Sequence, residues 1–166
     1  HCVITGATDI RPTQIGDGNM LMSGVHISHD CIIGDANTLS HKVILAGECN
    51  VMNGVNMGSG SMAHQGSVIG SYSMIGMGSV VVKDICPYLV VCGNPAKFLR
   101  INIHHLKGYG WNNHNKHNLE LFHQLLKEKE PTILNEIISF HELAGNRGKD
   151  RIIYFFDELG ISCEEE

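Results

Sequence analysis

The sequence predicts an all-β solenoid, a parallel β-helix of hexapeptide repeats followed by a C-terminal α-helical segment, and three observations carry that prediction. An apolar residue returns every six positions, through Ile15, Leu21, Ile27, Ile33, Leu39, Leu45, Val51, Met57, Ala63, Ile69, Ile75 and Val81. Four positions after each stands a second, mostly small residue, in the series Asn19, Val25, Cys31, Asn37, Val43, Cys49, Val55, Ser61, Ser67, Ser73, Ser79 and Ile85. Glycine concentrates in the same region, with 16 of 19 falling within residues 1–110. A helix would return its apolar residues at three and four, and an amphipathic strand at two, so a sustained six fits neither. Self-similarity at a fixed short period marks a solenoid. Each hexapeptide then forms a short strand and a tight turn, and three make a triangular coil. Residues 15–86 supply four such coils.

Taken in order, Val3 is in phase with an earlier coil, and residues 5–14 break the phase because position 9 is Asp. They are expected to form a loop extruded from the prism. Within the coils the large aliphatic points inward and the small residue packs beside it. Gly16, Gly34, Gly58, Gly70 and Gly76 stand directly after an aliphatic, and glycines or asparagines are expected to take the strained corner conformations. The repeat ends at Lys83–Pro87, before a strand-like run over Tyr88–Cys92 and a turn over Gly93–Lys97. Three apolar stripes then read as helices: Leu119, Phe122, Leu125 and Leu126, stopped before Pro131; Ile133, Leu134, Ile137, Ile138 and His141, ended by Gly145; and Asp150–Leu159 with Ile152, Ile153, Phe155 and Phe156. The expected division is a solenoid over 1–110 and a helical segment over 111–166.

Charge follows the same division. Residues 1–110 carry six acidic and six basic side chains, whereas 111–166 carry eleven and six, so the net −5 sits in the last third. Neither part is a basic nucleic-acid footprint. No apolar run is long enough for a membrane span and no signal peptide opens the chain, so a cytoplasmic location without membrane insertion is expected. The six cysteines include no C-x-x-C pair and are expected to be reduced, buried thiols. A chain that begins at His1 without Met is expected to be truncated.

A coil of 18 residues lets angular position be read by subtraction. His29, Gly47 and Gln65 stack on one edge, flanked by Ser28, Ala46 and His64 on one side and by Asp30, Glu48 and Gly66 on the other. With His26 on the same strand, the sequence thus converges His26, His29, Asp30, Glu48, His64 and Gln65 on one edge of an otherwise neutral repeat. His29 next to Asp30 supplies a titratable base with a carboxylate to orient it. Gly47 offers an unencumbered backbone N–H to a developing oxyanion, and His64 and Gln65 add groups for a polar substrate. Zinc on His26, His29 or His64, as in a hydratase on this scaffold, is the rival chemistry, although alternate side chains of a strand face opposite ways. A second histidine-rich zone, His104, His105, His114, His117 and His123, reads as solvated surface.

The run from Gly16 to Asp35, Leu45-Ala46-Gly47, the segment 62–70 (MAHQGSVIG) and the segment 101–111 (INIHHLKGYGW) together resemble the acyl-ACP:UDP-N-acetylglucosamine O-acyltransferase family, hexapeptide-repeat acyltransferases of lipid A biosynthesis. The resemblance implies a left-handed parallel β-helix and a homotrimer with active sites between subunits. It implies transfer of an acyl chain from acyl-ACP to the 3-hydroxyl of a nucleotide sugar, with no cofactor and no metal. His29 would be the general base, Asp30 its support and Gly47 the oxyanion donor. His1, Met22, His26, His64, Gln65, Met74 and Asn102 would line the sugar-nucleotide or acyl groove, with Glu48 beside them. Met77 matches the position that sets acyl length, and its bulk implies a shorter chain than glycine would admit. Lys97, Arg100 and Lys107 form the local basic cluster for an acidic acyl carrier protein. The N-terminal coils of the family are missing before His1. Three departures bear on nucleotide and donor: Glu48 stands where the family has histidine, Gly108 and Tyr109 follow Lys107 where it has basic residues, and Pro95 replaces a polar residue. An N-acyltransferase acting on a nucleotide amino sugar, with acyl-CoA or acyl-ACP, is the near alternative.

Overall fold

The computed structural model describes residues 1–8, 11–102, 122, 124, 128, 131–145 and 152–153. Its two-residue strands pair in parallel with the strands one coil along, and the resulting three sheets are the faces of a prism. The first face stacks Val3–Ile4, His26–Ile27, Ile44–Leu45, Met62–Ala63 and Val80–Val81. The second stacks Gln14–Ile15, Ile32–Ile33, Asn50–Val51, Val68–Ile69, Asp84–Ile85 and Ile152–Ile153. The third stacks Met20–Leu21, Thr38–Leu39, Asn56–Met57, Met74–Ile75, Leu89–Cys92 and Lys97–Ile101. The predicted parallel solenoid is therefore the observed fold.

Register advances by one coil as the period requires, His26 facing Ile44 and Ile44 facing Met62. It departs twice. Val3 faces His26 because the connection from Ile4 to Gln14 is five residues longer than the one from Ile27 to Ile32. This is the expected extruded loop. Near the other end Ile69 faces Ile85, sixteen residues on, because only Val82 and Lys83 separate Val81 from Asp84. Ile85 therefore belongs to the large aliphatic series and not, as its spacing suggests, to the small one.

The core is the one the period selects. Ile27, Ile33, Leu39, Leu45, Met57, Ile69, Ile75, Val81 and Ile85 are buried, and so are the small residues Val25, Cys31, Val43, Cys49, Val55, Ser61, Ser67, Ser73 and Ser79. Polar side chains enter this core where they replace a backbone partner. Asn19 Oδ1 accepts the Asn37 N–H at 2.8 Å, and Asn37 Oδ1 accepts the Val55 N–H at 2.7 Å. At the shortened coil Asp84 Oδ1 accepts the Val68 N–H at 2.7 Å. Among the described residues Cys31, Cys49 and Cys86 are buried, while Cys2 and Cys92 are exposed, against the expectation that all are buried. Cys163 lies outside the described residues.

The glycines divide into two kinds, one of which takes the strained corners as expected, whereas no asparagine among the described residues does. The left-handed backbone position falls three residues after the aliphatic, at Gly18, Gly24, Asp30, Ala36, Lys42, Glu48, Gly54, Gly60, Gly66, Tyr72 and Gly78. Glycine directly after the aliphatic is required by close approach instead. A Cβ on Gly58 would lie 2.7 Å from Met77 N and 3.0 Å from Gly76 C.

Beyond the coils, Leu89–Cys92 and Lys97–Ile101 form an antiparallel hairpin rather than another parallel turn. The helix Pro131–Ala144 begins at a proline, where the missing N–H costs nothing. It packs on the second face at Val68–Ile69 and buries Ile133, Phe140 and Ala144. The third predicted helix is overturned where it is described: Ile152–Ile153 is extended and pairs in parallel with Asp84–Ile85. Apolar stripes this short carry either period, and an open sheet edge decided the matter. Of the first stripe only Phe122 is described, buried with its ring 5.9 Å from that of Tyr88. Leu119, Leu125 and Leu126 lie outside the described residues, as do the histidines at 104, 105, 114, 117 and 123. No helix among the described residues is long and apolar enough to cross a membrane.

The two glycine roles separate experimentally. Gly58→Ala should lower unfolding free energy by about 2–3 kcal/mol, because its Cβ meets backbone. Gly60→Ala, whose Cβ meets nothing within 4 Å at φ +70, should lose only about 1 kcal/mol. Urea denaturation of both variants checks the order.

Candidate active site

The first corner of the prism, between the first and second faces, is where the sequence places its polar residues. His29 follows the strand His26–Ile27 by two residues, so its side chain leaves the turn instead of the flat strand. Its ring lies over Gly47 one coil along, and a Cβ on Gly47 would stand 2.5 Å from His29 Nε2. Glycine at 47 is therefore a condition for the ring's position, whatever its amide does. The coils are joined here by the Glu48 N–H donating to His29 O and the Gly66 N–H donating to Gly47 O, both at 2.9 Å.

Asp30 is wholly buried and left-handed at φ 59, a region that Asp tolerates better than most residues. Its Oδ2 lies 2.7 Å from His29 Nδ1. Burial pushes the Asp30 carboxyl up, but hydrogen bonds from the Thr8 hydroxyl, His29, the Thr8 N–H and the Arg11 segment outweigh it and hold the value at about 2. An ionised carboxylate only accepts, so Nδ1 carries the proton, and in the neutral ring the lone pair is on Nε2. With 36% of the His29 side chain exposed, the corner presents a base that is oriented from beneath and reachable from outside.

Around it stand Glu48, also left-handed at φ 64, and Gln65, whose Nε2 donates to Glu48 Oε1 at 2.6 Å. His64 is exposed, with Nδ1 3.4 Å from Gln65 O. The structure thus brings together His29, Asp30, Gly47, Glu48, His64 and Gln65. His26 stands on the flat of the first face, in register with Val3 and Ile44, rather than in the corner. Among the described residues no three His, Cys, Asp or Glu side chains group to hold a metal ion.

The other expected residues lie elsewhere on the prism. Met22 and Met77 occupy the corner between the third and first faces, Met77 at 80% exposure, and Met74 lies on the third face. His1 is exposed, its carbonyl accepting the Gly24 N–H at 2.8 Å. Asn102 is buried, with Nδ2 donating to Tyr72 O at 2.7 Å and Oδ1 without a hydrogen-bond partner among the described residues. Sequence reasoning missed Thr8 and Arg11. The Thr8 N–H and hydroxyl donate to the two Asp30 oxygens at 2.9 and 2.5 Å, and Arg11 bonds the carbonyls of Asp30 and Glu48 at 2.7 and 2.9 Å. Both sit in the phase-breaking loop, where the period gives no register from which to place a side chain.

Residues 12–47 match the bacterial transferase hexapeptide (six repeats) family. The acyl-(acyl-carrier-protein)–UDP-N-acetylglucosamine O-acyltransferase of Aliivibrio fischeri is 34% identical over 140 residues, covering 80% of this chain and 53% of its own. That of Burkholderia lata is 32% identical over 141 residues, covering 85% and 54%. The crystal structure of UDP-N-acetylglucosamine O-acyltransferase from Moraxella catarrhalis superposes with a TM-score of 0.73 at 34% identity, covering 92% of this chain and 65% of that one. The chain spans about half the length of the curated relatives it matches.

A carboxyl held at about 2 in the fold, against an ordinary 3.8, adds stability that is fully present above the ordinary value and lost as pH falls through the lower one. The melting temperature of the protein should therefore drop between about pH 4 and pH 2 more steeply than that of Asp30→Asn. Thermal melts of both proteins across that window check the sign.

Proposed function

The chain belongs to the acyl-ACP–UDP-N-acetylglucosamine O-acyltransferase family of hexapeptide-repeat proteins, and from that premise we propose that it transfers an acyl chain from an acyl carrier protein thioester to the 3-hydroxyl of UDP-N-acetylglucosamine. This is the first step of lipid A biosynthesis. The observation that carries the reading is the His29–Asp30 contact of 2.7 Å above Gly47. His29 Nε2 takes the proton of the sugar hydroxyl as its oxygen attacks the thioester carbon. The Gly47 N–H, which makes no hydrogen bond among the described residues, is the donor to the oxyanion of the tetrahedral intermediate. Collapse breaks the carbon–sulfur bond, and the imidazolium returns its proton to the departing thiolate. Asp30, ionised throughout, keeps Nδ1 protonated and steadies the imidazolium. Glu48, His64 and Gln65 are the polar wall of the same corner. The chemistry needs no cofactor beyond the thioester.

A homotrimer is part of this reading. Ile44 and Met62 stand side by side as exposed apolar residues on the first face, with His26 between Ile44 and the exposed Val3, and a partner would cover them. The base occupies one edge of the prism, while Met22, Met74 and Met77 occupy the third face and its far edge, so a second copy is needed for both sets to line one groove. Lys97, exposed on the hairpin, and Arg100 beside it are the basic groups offered to an acidic carrier protein. A cytoplasmic setting follows from that donor.

His29→Ala should lower kcat by about 10²–10⁴-fold without changing the oligomeric state, measured by acyl transfer and by sedimentation. A variant that kept the full rate would overturn the reading. Met77→Gly should shift preference toward longer chains in an assay with carrier proteins of graded acyl length, and an unchanged profile would remove Met77 from the groove. Reversing charge at Lys97 and Arg100 should raise KM for the carrier protein while leaving kcat near its starting value.

A further inference from the structure

We propose that Thr8 and Arg11, on the loop between Ile4 and Gln14, are positioning residues for the His29–Asp30 pair, fixing the carboxylate and the corner backbone that carries it; this rests on His29 being the general base. A carboxylate beside a histidine orients the ring only if the carboxylate is itself held. Asp30 has both oxygens engaged from the loop side. Thr8 N–H donates to Oδ1 at 2.9 Å and the Thr8 hydroxyl to Oδ2 at 2.5 Å, while His29 Nδ1 meets Oδ2 from the other direction at 2.7 Å. With two donors from one residue closing opposite ends of the carboxylate, its plane is set, and with it the plane of the imidazole.

Arg11 acts on the backbone. Nε donates to Asp30 O at 2.7 Å and Nη2 to Glu48 O at 2.9 Å. These are successive occupants of one left-handed corner column, at φ 59 and 64, neither of them glycine, so each position carries strain that the fold must hold. A guanidinium presents its donors in a rigid fork, and here the fork spans two coils. It fixes the spacing of the two turns, the second of which carries Gly47. The loop is five residues longer than a hexapeptide connection, and that added length lets Thr8 and Arg11 reach the corner. A loop that only covered an edge would require neither two donors on one buried carboxylate nor a fork on two carbonyls. The charged or titratable groups around the pair are Arg11 from the loop, Glu48 from the adjoining coil and Cys31 from the turn just before Ile32–Ile33.

The test compares Thr8→Val, Thr8→Ser, Arg11→Ala and Arg11→Lys in the whole chain, with acyl carrier protein thioester and UDP-N-acetylglucosamine as substrates. Thr8→Val and Arg11→Ala should lower kcat about tenfold or more while KM for the sugar nucleotide stays within about twofold. Both should also move the acid limb of the kcat–pH profile downward, because a carboxylate that is free to swing no longer holds Nδ1–H and stabilises the imidazolium less. Thr8→Ser should restore the wild-type profile, and Arg11→Lys should restore it in part, since one ammonium cannot reproduce the fork. Ring nitrogen NMR of His29 reads the same device without turnover: a single Nδ1–H tautomer in the wild type, a mixture in Thr8→Val. Lower melting temperatures with kcat, pH limb and ring signals all unchanged would reduce the two residues to loop anchors and overturn the proposal. Full activity in His29→Ala would instead sink the functional reading, while the NMR comparison would still decide whether the clamp exists.

Discussion

Everything in this molecule depends on a backbone that turns through the left-handed region once every six residues. A corner that tight cannot be made by right-handed or extended conformations alone, so residues three beyond each inward aliphatic carry positive φ from Gly18 to Gly78. Repetition of that one turn stacks the strands in register, lets each N–H find the carbonyl one coil along, and brings inward residues into columns. Where glycine fills the corner the turn is unstrained; at Asp30, Ala36, Lys42, Glu48 and Tyr72 it is not. The repeat tolerates those exceptions because ladder bonds on both sides, such as the Glu48 N–H to His29 O, hold the chain in place.

The candidate site uses this constraint rather than adding to it. Consecutive residues in a corner diverge, so His29 projects outward while Asp30, one residue later, is wholly buried; yet their side chains meet because the left-handed turn folds Asp30 back beneath the ring. The same slot one coil along is Gly47-Glu48, and there the missing side chain gives the imidazole its floor. Base, floor and neighbouring amide, from His29, Gly47 and Gln65, are thus three stacked copies of one structural position, and the carboxylate stands one residue after the first. A scaffold of this kind places chemical groups at fixed spacing, and among the described residues the loop between Ile4 and Gln14 approaches the corner and bonds Asp30.

What was legible in the sequence is what the period governs. The buried aliphatics from Ile27 to Val81, the stacking of His29, Gly47 and Gln65, and the phase break after Ile4 all follow from counting. Counting fails where the period does. Ile85 moved to the other inward series because two residues are missing from its coil, and Thr8 and Arg11 were invisible because their loop has no register. Ile152–Ile153 reads as part of a helical stripe, but an unpaired edge at Asp84–Ile85 offers it ladder bonds that a propensity cannot foresee. The glycines divide where counting does not, since sequence alone does not tell a glycine that must bend from one that must let a neighbour pass.

The hairpin at the C-terminal end of the prism bears on more than shape. A stack of parallel coils ends in a row of unpaired backbone groups, a template on which another solenoid could continue indefinitely. Here each of the three exposed rims is closed differently: Lys97–Ile101 runs antiparallel beside Leu89–Cys92, Ile152–Ile153 covers Asp84–Ile85, and Val80 is bonded by Gly93 and Ala96 at 2.9 and 2.8 Å. The reversal of strand direction is the decisive part, because an antiparallel strand presents the wrong hydrogen-bond spacing to a parallel newcomer. In this way the described residues close this end of the prism against the addition of a further parallel coil.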